Sequence, residues 1–420
     1  MIMKKVRFAF LGMGDRGTVY ASKVLLHPEE AEVTAIADLR QERLDKANKY
    51  LNLPESRIFH SAEELLAQPK LADIMVIASQ DQQHKTHAIA AMEAGYDILL
   101  EKPIASKLDD VISIAKTAKR LGRRVLVCHV LRYTVFYKEI RRLLKEGVIG
   151  TVQSVEASES VAYFHQAHSF VRGNWHNAEA SSPMILAKCC HDMDILQWVI
   201  GKKCLKLNSF GSLGHFKKEN APEGSAERCF DCKVENCPYN APKFYVSRIP
   251  GWPASILCAE PTEEKVLQAL RDTDYGRCVY RMDNDVVDHQ TVNMLMEDGV
   301  TVTFQMNAFT NIQARNIRIM GSEGELWGHF KNKELCFQRW GEEPVKIDLF
   351  ALCQDFTGHG GGDAGIIRDV IRLYRGEDFD TSSITYLEDS VESHYMAFAA
   401  EKSRVGGGQL VDLQEFTKDF

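Results

Sequence analysis

The chain has no stretch approaching the ~20 consecutive apolar residues that a membrane-crossing helix requires. It has no surplus of positive charge either. Its 51 Lys and Arg stand against 58 Asp and Glu, a formal net charge of -7. Nucleic acids and anionic membrane surfaces select for a positive field, so neither is expected as a partner. Internal repeats and low-complexity tracts are also lacking, which excludes solenoids and arrays. The opening MIMKKVRFAFLGMG places lysines ahead of apolar residues, as a secretory signal would, but glycines interrupt it where an apolar core should continue. It reads as a first strand, and the expected location is cytoplasmic. In that setting the 11 cysteines are expected as buried thiols, metal ligands or catalytic groups rather than a disulfide framework.

What is present is length and rhythm. The 420 residues are comfortable for two domains. Up to about residue 130, short apolar runs (Val6–Leu11, Val33–Ala37, Ile74–Ala78, Tyr96–Leu100, Val125–Cys128) alternate with helical patterns such as Gln41–Tyr50, Gln83–Ala94 and Leu108–Leu121. That alternation predicts βαβ units and a doubly wound parallel sheet. From residue 131 to 420 the pattern becomes α+β on a mostly antiparallel sheet. Thr151–Phe164 reads as a strand, and Asp298-Gly299 joins Thr291–Glu297 to Val300–Asn307 as a two-residue hairpin. Residues 210–283 form an aperiodic, Cys-containing insertion. A sheet of this kind often packs one face on another subunit, so a homo-oligomer, dimer or tetramer, is expected.

Gly12, Gly14 and Gly17 stand in G-x-G-x-x-G spacing directly after the first strand and open a helical pattern. The spacing suits a tight turn, close approach to a pyrophosphate and close helix–strand packing, with the helix N-terminus offering N–H groups to phosphate. Roughly 20 residues on, the next strand ends at Asp38, where an acid meets ribose hydroxyls. Asp38 favours NAD, whereas Arg40 could neutralise the extra phosphate of NADP. The turn residues Met13, Asp15 and Arg16 belong to the same candidate site.

Glu101-Lys102-Pro103 closes another strand, at the sheet edge where ligands bind. A lysine there can hydrogen-bond a substrate hydroxyl and share in its proton transfer. The glycine turn, Asp38, the Ser79–His84 stretch and Glu101-Lys102-Pro103 together resemble the Gfo/Idh/MocA oxidoreductase family. The resemblance covers essentially the whole chain. It implies a nicotinamide cofactor, a sugar or polyol substrate, hydride transfer between the two domains, a catalytic Lys102, and cofactor contacts from Ser79, His84 and Glu101. In SSPMILAKCCHDMDILQW, His191 and Asp194 are similar to the end of the family's D-x-G-x-H-x-x-D pattern, while Ala187 and Cys189 depart from its start. His191 is the second catalytic candidate. Read as one helix, the segment puts Lys188 and Asp194 beside it as substrate ligands. His168, Arg172 and Trp175, in FHQAHSFVRGNW, form a donor-rich loop that also suits a polyhydroxylated or anionic substrate, or serves as a plain surface loop.

In the insertion, Cys229, Cys232 and Cys237 have zinc-ligand spacing and lack a fourth donor. His215 is preferred over Cys258 for that place, in a structural zinc site; three free thiols are the alternative. The expected function is hydride transfer between NAD(P) and a hydroxyl-bearing carbon of a sugar, cyclitol or derivative. The alternatives are an NAD-dependent glycosidase working by transient oxidation and elimination, and a non-catalytic cofactor or sugar sensor.

Overall fold

The computed structural model describes residues 4–258 and 260–418. Its first sheet is built from β1 (Val6–Leu11), β2 (Ala31–Ala37), β3 (Ile58–Phe59), β4 (Ile74–Ile77), β5 (Asp97–Leu100) and β6 (Val125–Val127). All neighbours are parallel, in the order β3-β2-β1-β4-β5-β6. That is the Rossmann order, and its strands are buried on both faces, as their near-continuous apolar runs predict. The helices α1 (Asp15–Val24), α2 (Gln41–Leu51), α3 (His84–Glu93) and α4 (Leu108–Leu121) supply the crossovers.

The second sheet has nine strands. In chain order they are β7 (Val152–Ser160), β8 (Cys204–Ser212), β9 (His289–Met296), β10 (Thr301–Asn307), β11 (Ala314–Gly321), β12 (Gly324–His329), β13 (Glu334–Arg339), β14 (Val345–Lys346) and β15 (Val411–Asp412). Every pairing is antiparallel except β7 with β10. The β9–β10 hairpin turns where Asp298 (φ 57°) and Gly299 (φ 78°) adopt the left-handed conformation that such a tight turn demands. The helices α5 (Val135–Lys145), α6 (Met184–Ala187) and α7 (Cys190–Ile200) contribute to the core beside this sheet.

Three local expectations are revised. The strand begun at Val152 stops at Ser160, because Tyr163–Val171 coils into a helix that includes a π-helical turn. Phe210 belongs to β8, so the insertion starts after Ser212, and it contains short helices at Ala241–Val246, Ala254–Leu257 and Glu263–Asp272. The C-terminal helices α8 (Gly362–Arg375) and α9 (Leu387–Val405) return to the first sheet. Ile366, Ile367, Val370 and Ile371 complete one side of its core, and Leu387 and Val391 the other. A Val127 N–H to Thr385 carbonyl bond of 2.8 Å ties the β6 edge directly to the segment before α9. Among the described residues, no helix is long and apolar enough to cross a membrane.

Candidate functional site

Beyond Leu11 the chain makes the glycine turn. Gly12 has φ +96°, and a Cβ there would lie 2.6 Å from the Ala78 carbonyl oxygen. At Gly17 a Cβ would lie 2.0 Å from the Gly12 oxygen. Both glycines are therefore required by protein packing. Gly14 differs, since its Cβ would meet only the Arg43 guanidinium, at 3.6 Å. Gly14 also caps α1 without any side-chain hydrogen bond, leaving the leading amides of that helix to an outside acceptor. Asp38 is buried; it accepts from the Met13 N–H at 2.7 Å and the Arg40 N–H at 2.9 Å. Arg43, which the sequence reading missed, stands 3.5 Å from the Asp38 carboxylate. The cradle left open over Gly14, the bare helix end and the strand-end acid fit a dinucleotide.

Several residues expected to touch cofactor are engaged elsewhere. The exposed Arg40 guanidinium pairs with Glu42. Arg16 is drawn into a buried network, 2.9 Å from Glu101, 2.6 Å from Asp363 and 2.7 Å from the Tyr20 hydroxyl. Burial pushes the Asp363 carboxyl up, but hydrogen bonds and charge from His359 and Arg16 outweigh it and hold the group well below the usual carboxylate range. Ser79 bonds His87 at 2.9 Å. His84 is fully buried and bridges the carbonyls of Pro103 (2.8 Å) and Ser79 (3.2 Å). It therefore positions the Glu101-Lys102-Pro103 turn from behind. Asp15 lies in the exposed first turn of α1.

Lys102 emerges at the carboxyl edge of β5 and donates to the Ala187 carbonyl at 3.0 Å. That bond brings the Rossmann edge to the segment before His191. The segment is not one helix. It breaks at Cys189 (φ -99°, ψ 5°) between α6 and α7, so His191 sits in the first turn of α7. The break undoes the expected three-residue spacing of Lys188, whereas Asp194 stays three residues from His191 in α7. Lys188 turns to the second sheet, 3.3 Å from Glu159, which also pairs with Arg315 at 2.9 Å. Asp194 turns inward. It is fully buried and bound bidentately by Arg132 (2.8 and 2.5 Å), so it is a core ion-pair member and not a substrate ligand.

His191 keeps its place as a candidate. Burial is the chief cause, with the charges of Lys102 and Arg315 and the neighbouring histidines adding to it, that pushes its imidazole well below the ordinary histidine value. Among the described residues its buried Nδ1 has no hydrogen-bond partner. His129, just past β6, lies 5.6 Å from His191 ring to ring, and among the described residues neither of its nitrogens is hydrogen-bonded. His359 approaches His191 at 6.5 Å, held by Asp363 at 3.1 Å. Sequence reasoning missed His129. The signal was there, since it follows a strand at the edge where Rossmann sheets receive ligands. The result is Lys102 gathered with the neutral His191 and His129, a set able to move a proton from a hydroxyl.

The donor-rich loop is mostly structural. His168 is buried, bonded to the Tyr245 hydroxyl at 2.7 Å and stacked on Tyr275, and burial with the Arg172 charge lowers it to about 3. Arg172 binds the carbonyls of Arg277 (2.7 Å) and Tyr239 (2.8 Å). The Trp175 indole donates to Asp81 at 3.0 Å, tying this loop to the Rossmann domain. These three residues organise the insertion and the domain junction rather than offering donors to a substrate. His165, from the same loop, lies nearer the site. Its imidazole is depressed by burial and then by the charges of Lys188, His168, Lys102 and His359. His215 bonds the Tyr280 hydroxyl at 3.1 Å within an aromatic cluster, away from the three cysteines it was expected to join. Among the described residues, no group of three or more His, Cys, Asp or Glu side chains stands in an arrangement that could hold a metal ion.

Residues 6–129 match the family model described as an oxidoreductase family NAD-binding Rossmann fold, and residues 141–339 match that family's C-terminal alpha/beta domain. The chain belongs to the Gfo/Idh/MocA oxidoreductase family. Among relatives of this Gfo/Idh/MocA protein is YteT of Bacillus subtilis, named as an oxidoreductase. It is 22% identical over 435 residues, covering 96% of this chain and 98% of YteT. Glycosyl hydrolase family 109 protein 1 of Bacteroides fragilis is 29% identical over 178 residues; the match covers 41% of this chain and 37% of that protein. The WlbA dehydrogenase of Bordetella pertussis, solved with NADH and UDP-GlcNAcA, shares the fold. Its TM-score is 0.68 at 16% identity, covering 98% of this chain and 99% of WlbA.

Proposed function

We propose that this Gfo/Idh/MocA oxidoreductase transfers a hydride between a nicotinamide dinucleotide and a hydroxyl-bearing carbon of a sugar, cyclitol or derivative. The observation that carries the reading is the meeting of Lys102 and His191, from different domains, at the carboxyl edge of the Rossmann sheet. In this reading Gly12, Met13, Gly14 and the α1 amides hold the pyrophosphate, and Asp38 takes the adenosine ribose. Asp38 favours NAD. The cofactor, when bound, accepts the hydride from the carbinol carbon. Lys102 holds the substrate oxygen by hydrogen bonding, and neutral His191 takes the hydroxyl proton. Hydride and proton leave together, so the carbinol becomes a carbonyl. His191 suits the proton step because burial, with the neighbouring charge of Lys102, keeps its imidazole neutral and able to accept.

A second reading keeps the same residues and returns the hydride. Oxidation of a sugar carbon makes the neighbouring C–H acidic, the aglycone leaves by elimination with a proton, water adds to the unsaturated ketone, and return of the hydride to the ketone carbon would restore the cofactor. The likeness to glycosyl hydrolase family 109 favours keeping it. Incubation with NAD and a panel of polyols and aryl glycosides separates the two. Steady NADH formation supports net oxidation, and aglycone release without net NADH supports the redox-neutral route. A chain that binds NAD but reacts with no member of the panel by either readout is a sensor. The reading includes a homo-oligomer packed through the open face of the nine-stranded sheet, to be checked by sedimentation.

A further inference from the structure

Five of the cysteines lie in the insertion between β8 and β9, and four of them share one pocket. Cys229, Cys232, Cys237 and Cys278 all line it. Cys278 is 41 residues beyond Cys237, too far along the chain for ligand spacing to reveal it. Backbone pairing brings it in. Arg228 bridges Arg277 antiparallel, the Cys229 N–H donates to the Gly276 carbonyl at 3.0 Å, and the Cys278 N–H to the Glu227 carbonyl at 2.9 Å. Gly276 is required there, because a Cβ would lie 1.8 Å from the Leu270 oxygen.

The polar groups around the pocket are aimed at sulfur. In Cys237-Pro238-Tyr239 and in Cys278-Val279-Tyr280, the backbone two residues on hydrogen-bonds the cysteine. The Arg172 guanidinium lies 3.5 Å from the Cys229 sulfur. Such outer hydrogen bonds orient and tune metal-bound thiolates. The insertion also needs a staple. Its two apolar clusters hold only a handful of fully buried residues each, Phe216, Tyr239 and Val279 in one and Tyr245, Val266 and Leu270 in the other. Cores that small are usually supplemented by a metal or by disulfides.

We propose that Cys229, Cys232, Cys237 and Cys278 form a structural four-thiolate site for a single zinc-class cation. Cys278 takes the place for which His215 and Cys258 were the sequence candidates. The four thiols share one pocket but do not yet stand in a metal-holding arrangement, so binding draws them onto one tetrahedral ion. Four sulfur donors close the coordination sphere, so the role is to hold the insertion, and through Arg172 the segment that carries His165, rather than to activate a substrate.

The test is the metal content of the full chain produced in zinc-supplemented medium. One zinc per chain is expected. Cys278→Ser should fall below about a tenth of that content, while Cys258→Ser, in the same insertion but outside the pocket, should keep it. Metal-stripped wild type titrated with cobalt(II) should develop the intense absorption of tetrahedral cobalt thiolate. Should Cys278→Ser fail to fold, thiol counting on the native wild type decides. A chelator should expose four additional reactive thiols. Wild type that neither carries zinc nor takes up cobalt, or a Cys278→Ser chain with full zinc, overturns the proposal, as does a visible iron–sulfur spectrum.

Discussion

Gly14 and Gly17 lie three residues apart and answer to different constraints. Gly17→Ala forces a Cβ to within 2.0 Å of the Gly12 oxygen, a backbone atom with nowhere to go. It should destabilise the fold by about 1–3 kcal/mol, the usual cost of overpacking, read as a lower urea midpoint. Gly14→Ala meets nothing closer than Arg43 at 3.6 Å. It should leave the urea midpoint unchanged and weaken NAD binding at least about tenfold, a loss of about 1.4 kcal/mol by titration calorimetry. A Gly14→Ala protein with unchanged NAD affinity would remove the pyrophosphate from that turn. His191 makes the second prediction at this scale. Its working form is the neutral imidazole, and burial keeps it neutral to a pH well below the ordinary histidine value. The acid limb of kcat/KM for substrate oxidation should therefore lie well below about pH 6.5. A limb at that ordinary value would mean that His191 is solvated in the working enzyme.

At the scale of elements, the helix break at Cys189 decides what could be read in advance. The H-x-x-D match placed His191 in the chemistry but carries no information about a two-residue kink, so Lys188 was placed on the wrong surface. Asp194 keeps its helical spacing and was misread because the sequence does not show the buried Arg132 that binds it. The strands, the glycine turn and the β9–β10 hairpin were legible because their signals are local: burial on both faces, a required φ, a two-residue turn. His168, Arg172 and His215 were not, because a polar side chain looks the same in sequence whether it meets a substrate or a buried carbonyl. The reassignment of Asp194 can be checked. Arg132→Ala leaves that carboxylate buried and uncompensated, and should cost about 3–5 kcal/mol by denaturant unfolding. Replacing both partners with apolar residues of similar volume should recover most of the loss. An Arg132→Ala protein of wild-type stability, with only KM raised, would return Asp194 to the substrate site.

The whole molecule carries an unusual load of buried neutral histidines. Burial is the leading cause that lowers His129, His165, His168, His191 and His394, with His168 and His394 brought to about 3. Unfolding frees each to take a proton once the pH falls below about 6.5, the ordinary value. The unfolded state then binds more protons than the folded one, so stability present above that pH is lost as the pH falls toward the folded values. Each histidine contributes about 1.4 kcal/mol per pH unit over that range. The urea midpoint should drop steeply between about pH 6.5 and pH 5, before the carboxylates begin to titrate. A flat midpoint across that interval would mean the histidines are not buried as described. Three of them, His129, His191 and His394, lie side by side, so the acid lability and the chemistry share part of one arrangement. The most direct test of that chemistry is a single-turnover experiment with NAD, the polyol and glycoside panel, and the wild-type, Lys102→Ala and His191→Ala proteins, following nicotinamide reduction. The account predicts reduction by wild type with one substrate class, and a loss of about 10²–10⁴-fold in rate in both variants with NAD affinity retained. Reduction at the wild-type rate in both variants would contradict it.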